Sequence, residues 1–296
     1  MSRTSGVAVL ALALIFVSFT GQCYSALQAG FYKGKCGFLD VETIVATVVK
    51  AKFFSDPTIA AALIRMQFHD CFVNGCDASI LLDGSSSEKT ALPNLGPHFL
   101  EWRREIQRPN GEKDGLVSLA QNVDLPSPTL SVPDSIAAFA RKGLTATDMV
   151  YLLGGHTVGV THCFVIQSRL YNFQNTGKPD PTMDPRLLQT LRQRCPQNST
   201  TAGSNTINLD QNILSSFIVD NSFYRQILAH RGVLQIDQEL ALDPLTSTEV
   251  SSIAHGYDFC SKFGEAMVKL GAIGVLTGTD GEIRNHAEPS TTLRFN

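Results

Sequence analysis

Arg65 and His69 stand four residues apart in Ile64-Arg65-Met66-Gln67-Phe68-His69, a spacing that sets both side chains on one face of a helix. Their neighbours Ile64, Phe68 and Phe72 are apolar. A permanent cation beside a titratable imidazole in such surroundings suits work on a small polar substrate. The imidazole would act as base, and the guanidinium would stabilise developing negative charge. The same pair could equally be a helix end with a surface arginine and a capping histidine. Next comes Asp70-Cys71-Phe72-Val73-Asn74-Gly75-Cys76-Asp77-Ala78-Ser79. Asp70, Asp77 and Ser79, with carbonyls from a glycine-containing turn, form an oxygen-rich set suited to Ca²⁺. Cys71 and Cys76 favour a short disulfide loop in an oxidising compartment. A zinc site of His69, Cys71 and Cys76 is the weaker alternative, because oxidation consumes the thiols.

Farther along, Gly154-Gly155-His156-Thr157 follows a helical segment. Two glycines beside a histidine let something bulky approach the backbone, although a lone histidine in this setting is more often a satisfied core residue. Asp237 lies in the apolar stretch Leu234-Gln235-Ile236-Asp237-Gln238. A buried carboxylate needs a partner, and a ligating histidine is one natural choice.

The elements that must position these residues are helical. Val41, Ile44, Val45, Val48 and Val49 repeat at three-to-four spacing, which predicts a helix over 41–54. Asp56-Pro57 starts a second one through His69, with Asp56 as N-cap. Residues 133–142 form a helix stopped by Gly143, and Thr145 with Asp148 makes a capping box for the next. Asp184-Pro185 opens a helix to Cys195, and another runs from near Asn221 to Gly232. Thr246 with Glu249 caps a further one, and 257–270 stops at Gly271. Alternating strand patterns are scarce, so the fold is expected to be mostly α. Leu92 to Asp114 breaks the order: it is polar and turn-rich, carries the only tryptophan, Trp102, and reads as a loop or linker.

The chain has 296 residues, of which 43% are apolar, 17% charged and 8% aromatic. Those values exclude a disordered chain, a collagen-like repeat and a small disulfide scaffold. A net charge of −3 offers no broad basic face for nucleic acid or an anionic membrane. Arg3, the apolar run Val7 to Phe19, and Gly21-Gln22-Cys23-Tyr24-Ser25 have the layout of a secretory signal peptide over 1–25, cleaved before Ala26. A signal anchor or buried helix is the alternative, but the run is short for either. The mature chain, 26–296, is then expected to be soluble, oxidised and free of the membrane. Seven cysteines leave at least one sulfur without an intramolecular partner. Asn198-Ser199-Thr200 is a glycosylation sequon in a Ser/Thr/Gly-rich stretch.

The run Arg65 to Ser79 resembles the distal-site signature of secretory plant-type (class III) haem peroxidases. Gly154-Gly155-His156-Thr157-Val158-Gly159 resembles their proximal haem-ligand motif. The resemblance extends from about Phe31 to Asn94 and from about Asp114 to Arg284. It implies a mostly α fold with haem b between distal and proximal halves, and a monomer that reduces H₂O₂ to water while oxidising phenolic donors by one-electron steps. His156 would ligate the iron, with Asp237 accepting its other N–H. His69 would move the peroxide proton, Arg65 would stabilise the developing charge, and the Asn94 amide oxygen would fix the His69 tautomer. Pro126 matches the donor-access position.

Two calcium ions are implied as well. The distal one would use Asp70, Asp77 and Ser79 with the Val73 and Gly75 carbonyls. The proximal one would use Thr157, Asp210, Ser215, the Ile218 carbonyl and Asp220. Cys71–Cys76 and Cys163–Cys195 match two family disulfides.

One departure stands out. Between the Asn94 and Asp114 positions the family carries a few dozen more residues, including a distal-half helix and two cysteines. The family partner of Cys36 therefore has no counterpart here, and Cys36 and Cys260 are left over. A non-catalytic secreted protein of the same fold, binding haem or calcium, is the alternative this shortening leaves open.

Overall fold

A computed structural model describes residues 32–35, 37–38, 40–95, 113–197, 205–282 and 284. The signal-peptide reading, Cys36, the Trp102 segment and the Asn198 sequon lie outside these residues.

Helix α1, Val41–Ser55, begins at Asp40, whose carboxylate accepts the Glu42 N–H at 3.2 Å. Its apolar stripe forms as expected yet covers little. No residue of α1 is buried, and Ile44, Val45 and Val48 are 44%, 49% and 57% exposed. Helix α2, Ile59–Cys71, starts later than the Asp56-Pro57 pattern predicts. The Asp56 carboxylate instead accepts from the N–H and hydroxyl of Thr58, at 3.0 and 2.6 Å, so Pro57 and Thr58 are spent in a turn.

Helix α3, Val132–Arg141, is capped by Ser131, and Gly143 at φ +78° follows it. Helix α4, Ala146–Leu153, has the expected Thr145–Asp148 capping box. Helix α5 is Cys163–Tyr171, and α6, Pro185–Arg194, is capped by Asp184. Helix α7, Ser222–Leu228, ends before Gly232 because His230 turns the chain at φ +59°. Helix α8 is Gln235–Leu242. Helix α9, Ser247–His255, lacks the expected cap: the Thr246 hydroxyl donates to the Leu240 carbonyl at 2.7 Å. Helix α10 is Phe259–Leu270. Strands β1, Val160–His162, and β2, Thr206–Asn208, pair antiparallel with Thr161 opposite Ile207.

The core gathers in the C-terminal half. Met149 and Val150 of α4, Phe223 and Tyr224 of α7, Leu240 of α8 and Leu270 of α10 are all sealed from solvent. Burial of that kind contributes about 1.5–3 kcal/mol for each large apolar side chain. The 70–79 loop is held from behind. Lys113 and Asp114 bridge to Leu276 and Glu282, and Arg284 donates to the carbonyls of Gly115 and Asp77. A Cβ on Gly75, at φ +107°, would come 2.8 Å from the Gly274 carbonyl, so only glycine fits there. Both expected disulfides form, Cys71–Cys76 and Cys163–Cys195, and Cys260 is a free, exposed thiol. Among the described residues no helix is long and apolar enough to cross a membrane.

Candidate active site

Arg65 and His69 share one face of α2, and the Arg65 Nε–H donates to His69 Nε2 at 3.2 Å. His69 Nδ1 lies 2.5 Å from Asn94 Oδ1, an atom that can only accept. The proton therefore sits on Nδ1, and Nε2 keeps its lone pair. Asn94 is oriented in turn by its own Nδ2–H, which donates to the Glu88 carbonyl at 2.7 Å. Arg65 is anchored through Nη2 to the Pro93 carbonyl at 2.6 Å. Burial first, then the Arg65 charge, push the His69 pKa down to about 3 against the opposing Asn94 bond. The imidazole is thus a neutral base across the ordinary pH range. His69 is not a capping histidine at a helix end, because it is buried and bonded across 25 residues, while Arg65 beside it stays exposed.

Glu88 belongs to this network, and nothing in its local sequence marks it. It is sealed from solvent, and its Oε1 accepts from Asn74 Nδ2 at 3.2 Å. Burial, with the charges of Asp77 and Asp70, raises its pKa to about 7 despite hydrogen bonds from Ser79 and Asn74. An unfolded glutamate titrates near 4.3, so the folded protein holds a proton the unfolded chain has released. That contribution to stability is present below about pH 4.3 and is lost as pH rises through 7. In calcium-free buffer, Glu88→Gln should therefore melt progressively higher than the parent protein as pH rises from 4.5 to 7. A melting-temperature difference that stays flat with pH would contradict this account.

The calcium-type oxygens of the loop are assembled but already engaged. Asp70, Asp77 and Ser79 are buried, and Asp77 Oδ1 accepts from both the N–H and the hydroxyl of Ser79, at 2.9 and 2.5 Å. The Gly75 carbonyl accepts the Asp77 N–H at 2.8 Å, and the Val73 carbonyl accepts from Lys142 Nζ at 2.6 Å. The zinc reading fails here, since Cys71 and Cys76 are bonded to each other and supply no thiolate.

His156 sits in the turn Gly154–Thr157 that directly follows α4. Its Nδ1–H donates to Asp237 Oδ1 at 2.8 Å. Asp237 is sealed from solvent in the first turn of α8, where the helix dipole favours negative charge. Burial lowers the His156 pKa, but the charge and hydrogen bond of Asp237 outweigh it and leave it raised, with Arg65 pulling back. The ring keeps 30% exposure.

Bulky side chains do approach the backbone at the two glycines, as the sequence suggests, and they come from the chain itself. A Cβ on Gly154 would strike Tyr224 Oη at 2.3 Å, and one on Gly155 would lie 3.2 Å from Ile64 of α2. These glycines let the chain's own core and α2 close on the turn. The Arg65 charge acts to lower the pKa of both imidazoles.

Thr157, Asp210, Ser215, Ile218 and Asp220 come together as well. The Thr157 hydroxyl reaches the Ile218 carbonyl at 3.4 Å and Asp220 Oδ1 at 3.3 Å, and Ser215 donates to Asp210 Oδ2 at 3.2 Å. Burial raises the Asp210 pKa against hydrogen bonds from Asn212, Ser222 and Ser215, and the nearby Asp220 charge adds to the rise. Among the described residues no three His, Cys, Asp or Glu side chains converge as a metal centre. Pro126 is half-buried, and Pro128 two residues on accepts the Ile236 N–H at 3.0 Å, tying this segment to α8.

A neutral, anchored imidazole beside a guanidinium, and a second imidazole made basic by a buried carboxylate, are the groups that peroxide chemistry on a haem requires. The chain belongs to the peroxidase family, a family of haem-dependent enzymes, whose model matches residues 45–109 and 100–256. It is 47% identical to Peroxidase 60 of Arabidopsis thaliana over 95% of both chains. It is 41% identical to Peroxidase 57 of the same plant over 92% of this chain and 94% of that one, and 38% identical to Peroxidase N1 of Nicotiana tabacum over 93% of each.

These alignments extend over 319, 308 and 316 positions, more than the 296 residues present, so the relatives carry residues this chain lacks. The two matched stretches of the family meet at 100–109. The donor set fits a haem. His156 has Nδ1 committed to Asp237, which leaves Nε2 as a ligand atom, and Asp237 Oδ2 keeps unshared electron density with no hydrogen-bond partner among the described residues.

Proposed function

We propose that this peroxidase is secreted, reduces H₂O₂ to water and takes single electrons from phenolic donors. The hydrogen-bonded order Arg65–His69–Asn94 carries the reading. In it, one imidazole is held neutral with its Nε2 lone pair turned to the Arg65 cation, from which a peroxide proton would take it over. Haem b, held through His156, supplies the store of oxidising equivalents that separates peroxide reduction from donor oxidation. His69 Nε2 accepts the proton from one peroxide oxygen and delivers it to the other, which then departs as water. Arg65 stabilises the negative charge gathering on the departing oxygen. Asn94 keeps the His69 proton on Nδ1, so the ring cannot turn to the wrong tautomer. Asp237 keeps His156 basic and correctly oriented. Two donors, each giving an electron and a proton, supply what the second water requires, and Pro126 marks where they approach.

The same reading assigns Asp70, Val73, Gly75, Asp77 and Ser79 to one Ca²⁺, and Thr157, Asp210, Ser215, Ile218 and Asp220 to a second. It takes residues 1–25 as the signal peptide and the mature protein as a monomer shortened between Asn94 and Asp114. The test is an absorbance spectrum of purified, haem-supplied protein before and after peroxide, followed by addition of a phenolic donor. A Soret band that shifts with peroxide and returns with the donor is expected; haem bound stoichiometrically without any peroxide response would refute it.

Burial of His69 and, after it, the Arg65 charge also set the acid limit. Activity should persist as pH falls until His69 protonates near 3. Arg65→Leu removes a charge that lowers this pKa, so the acid limb of the peroxide rate should move to higher pH. An unmoved limb would show that His69 is not the group titrating.

A further inference from the structure

Arg169 of α5 is 1% exposed and takes no part in the chemistry above. Its Nε donates to Asp180 Oδ2 at 2.8 Å, and its Nη1 donates to the carbonyls of Gly232, Val233 and Leu234 at 2.8, 2.8 and 2.9 Å. Those three residues lead directly into α8, whose third residue is Asp237. Leu234 occupies the N-cap position of α8 and offers no side-chain capping bond, so the entry to this helix is fixed through its backbone instead. The fastening continues on two other sides. The Gly232 N–H donates to Gln238 Oε1 at 3.1 Å, and the Ile236 N–H donates to the Pro128 carbonyl at 3.0 Å.

We propose that Arg169 is a positioning residue for the His156–Asp237 pair, clamping the carbonyls of 232–234 so that the first turn of α8 presents Asp237 Oδ1 to His156 Nδ1. The proposal rests on the reading that His156 holds the haem. A guanidinium is suited to the task because its planar fork reaches Asp180 with one edge and the carbonyl row with another. A lysine ammonium is compact and cannot span both. Asp180 is held ready by the N–H and hydroxyl of Thr182, at 2.8 and 2.6 Å, and so balances the buried charge without bending toward α8.

The experiment compares haem-loaded full-length protein with Arg169→Lys, Asp180→Asn, Asp237→Asn and Leu191→Ala. The readouts are reduction potential and the rate of haem transfer to an apomyoglobin acceptor, with melting temperature measured alongside. Asp237→Asn reports what a weakened pair looks like. Leu191→Ala, a buried α6 position, reports plain loss of stability. Arg169→Lys is expected to shift the potential in the same direction as Asp237→Asn and to speed haem transfer by about 10-fold, the low end for loss of an outer partner of a ligand. Asp180→Asn should shift the potential the same way by less, and it serves if Arg169→Lys does not fold. Leu191→Ala should melt lower with the potential unmoved. Arg169→Lys and Asp180→Asn variants that melt lower but keep the parent potential and transfer rate would overturn the proposal. If Asp237→Asn itself leaves the potential unchanged, or His156→Ala retains haem at the parent potential, the reading of His156 falls and the proposal with it.

Discussion

His69→Ala is expected to bind haem as the parent protein does and to react with peroxide about 10²–10⁴-fold more slowly, the usual worth of a positioned general base. The size of the effect follows from how little else near peroxide can take a proton. Arg65 remains cationic and can only donate, and Asn94 offers an amide. The buried imidazole, at about pKa 3, is uncharged whenever the enzyme works. Stopped-flow measurement of the peroxide step, with the haem spectrum as control, checks both halves of the expectation. Asn94→Ala should follow in the same direction with a smaller loss, since it removes the acceptor that fixes the tautomer but leaves the base. A His69→Ala protein reacting at the parent rate would transfer the proton role to a group not yet identified.

His156→Ala should instead fail to retain haem, because it removes the ligand atom and leaves the Asp237 carboxylate buried without its partner. The second effect is considerable in itself: an uncompensated buried charge typically costs about 3–5 kcal/mol. The variant should therefore melt lower than the parent even when both are haem-free. Asp237→Asn preserves the ring and changes only its partner, so it should weaken haem retention by about 10–100-fold rather than abolish it. Spectroscopic haem titration of the three proteins separates these outcomes. Equal haem affinity in His69→Ala and His156→Ala would contradict the division of labour between the two histidines.

The helices were legible where sequence and local physics agree. Thr145 with Asp148, and Asp184 before Pro185, form the caps their spacing predicts, since both motifs are complete within four residues. Reading failed where a side chain found a distant partner. Thr246 bonds back to Leu240 rather than forward, and Asp56 closes a turn on Thr58 instead of starting α2. Helices α5 and α8 carry no strong cap in sequence, and α8 is fixed by backbone bonds that only tertiary structure supplies. At the site, Arg65 and His69 announce themselves through spacing. Asn94 and Asp237 meet their histidines across 25 and 81 residues, distances at which a family resemblance can suggest a pairing but periodicity cannot. Glu88 was missed altogether, because a glutamate beside a lysine has the local look of solvent-facing surface.

Helix α1 buries none of its residues, so little beyond its own backbone bonds opposes its opening, and its amides should exchange with deuterium sooner than those of the other described helices. Among the described helices, α1 should be the first that a protease cuts, between 41 and 55. Such a nick would leave α2 closed by Cys71–Cys76 at one end and packed through Ile64 against Gly155 of the His156 turn. The working half of the molecule would then outlast its own leading helix.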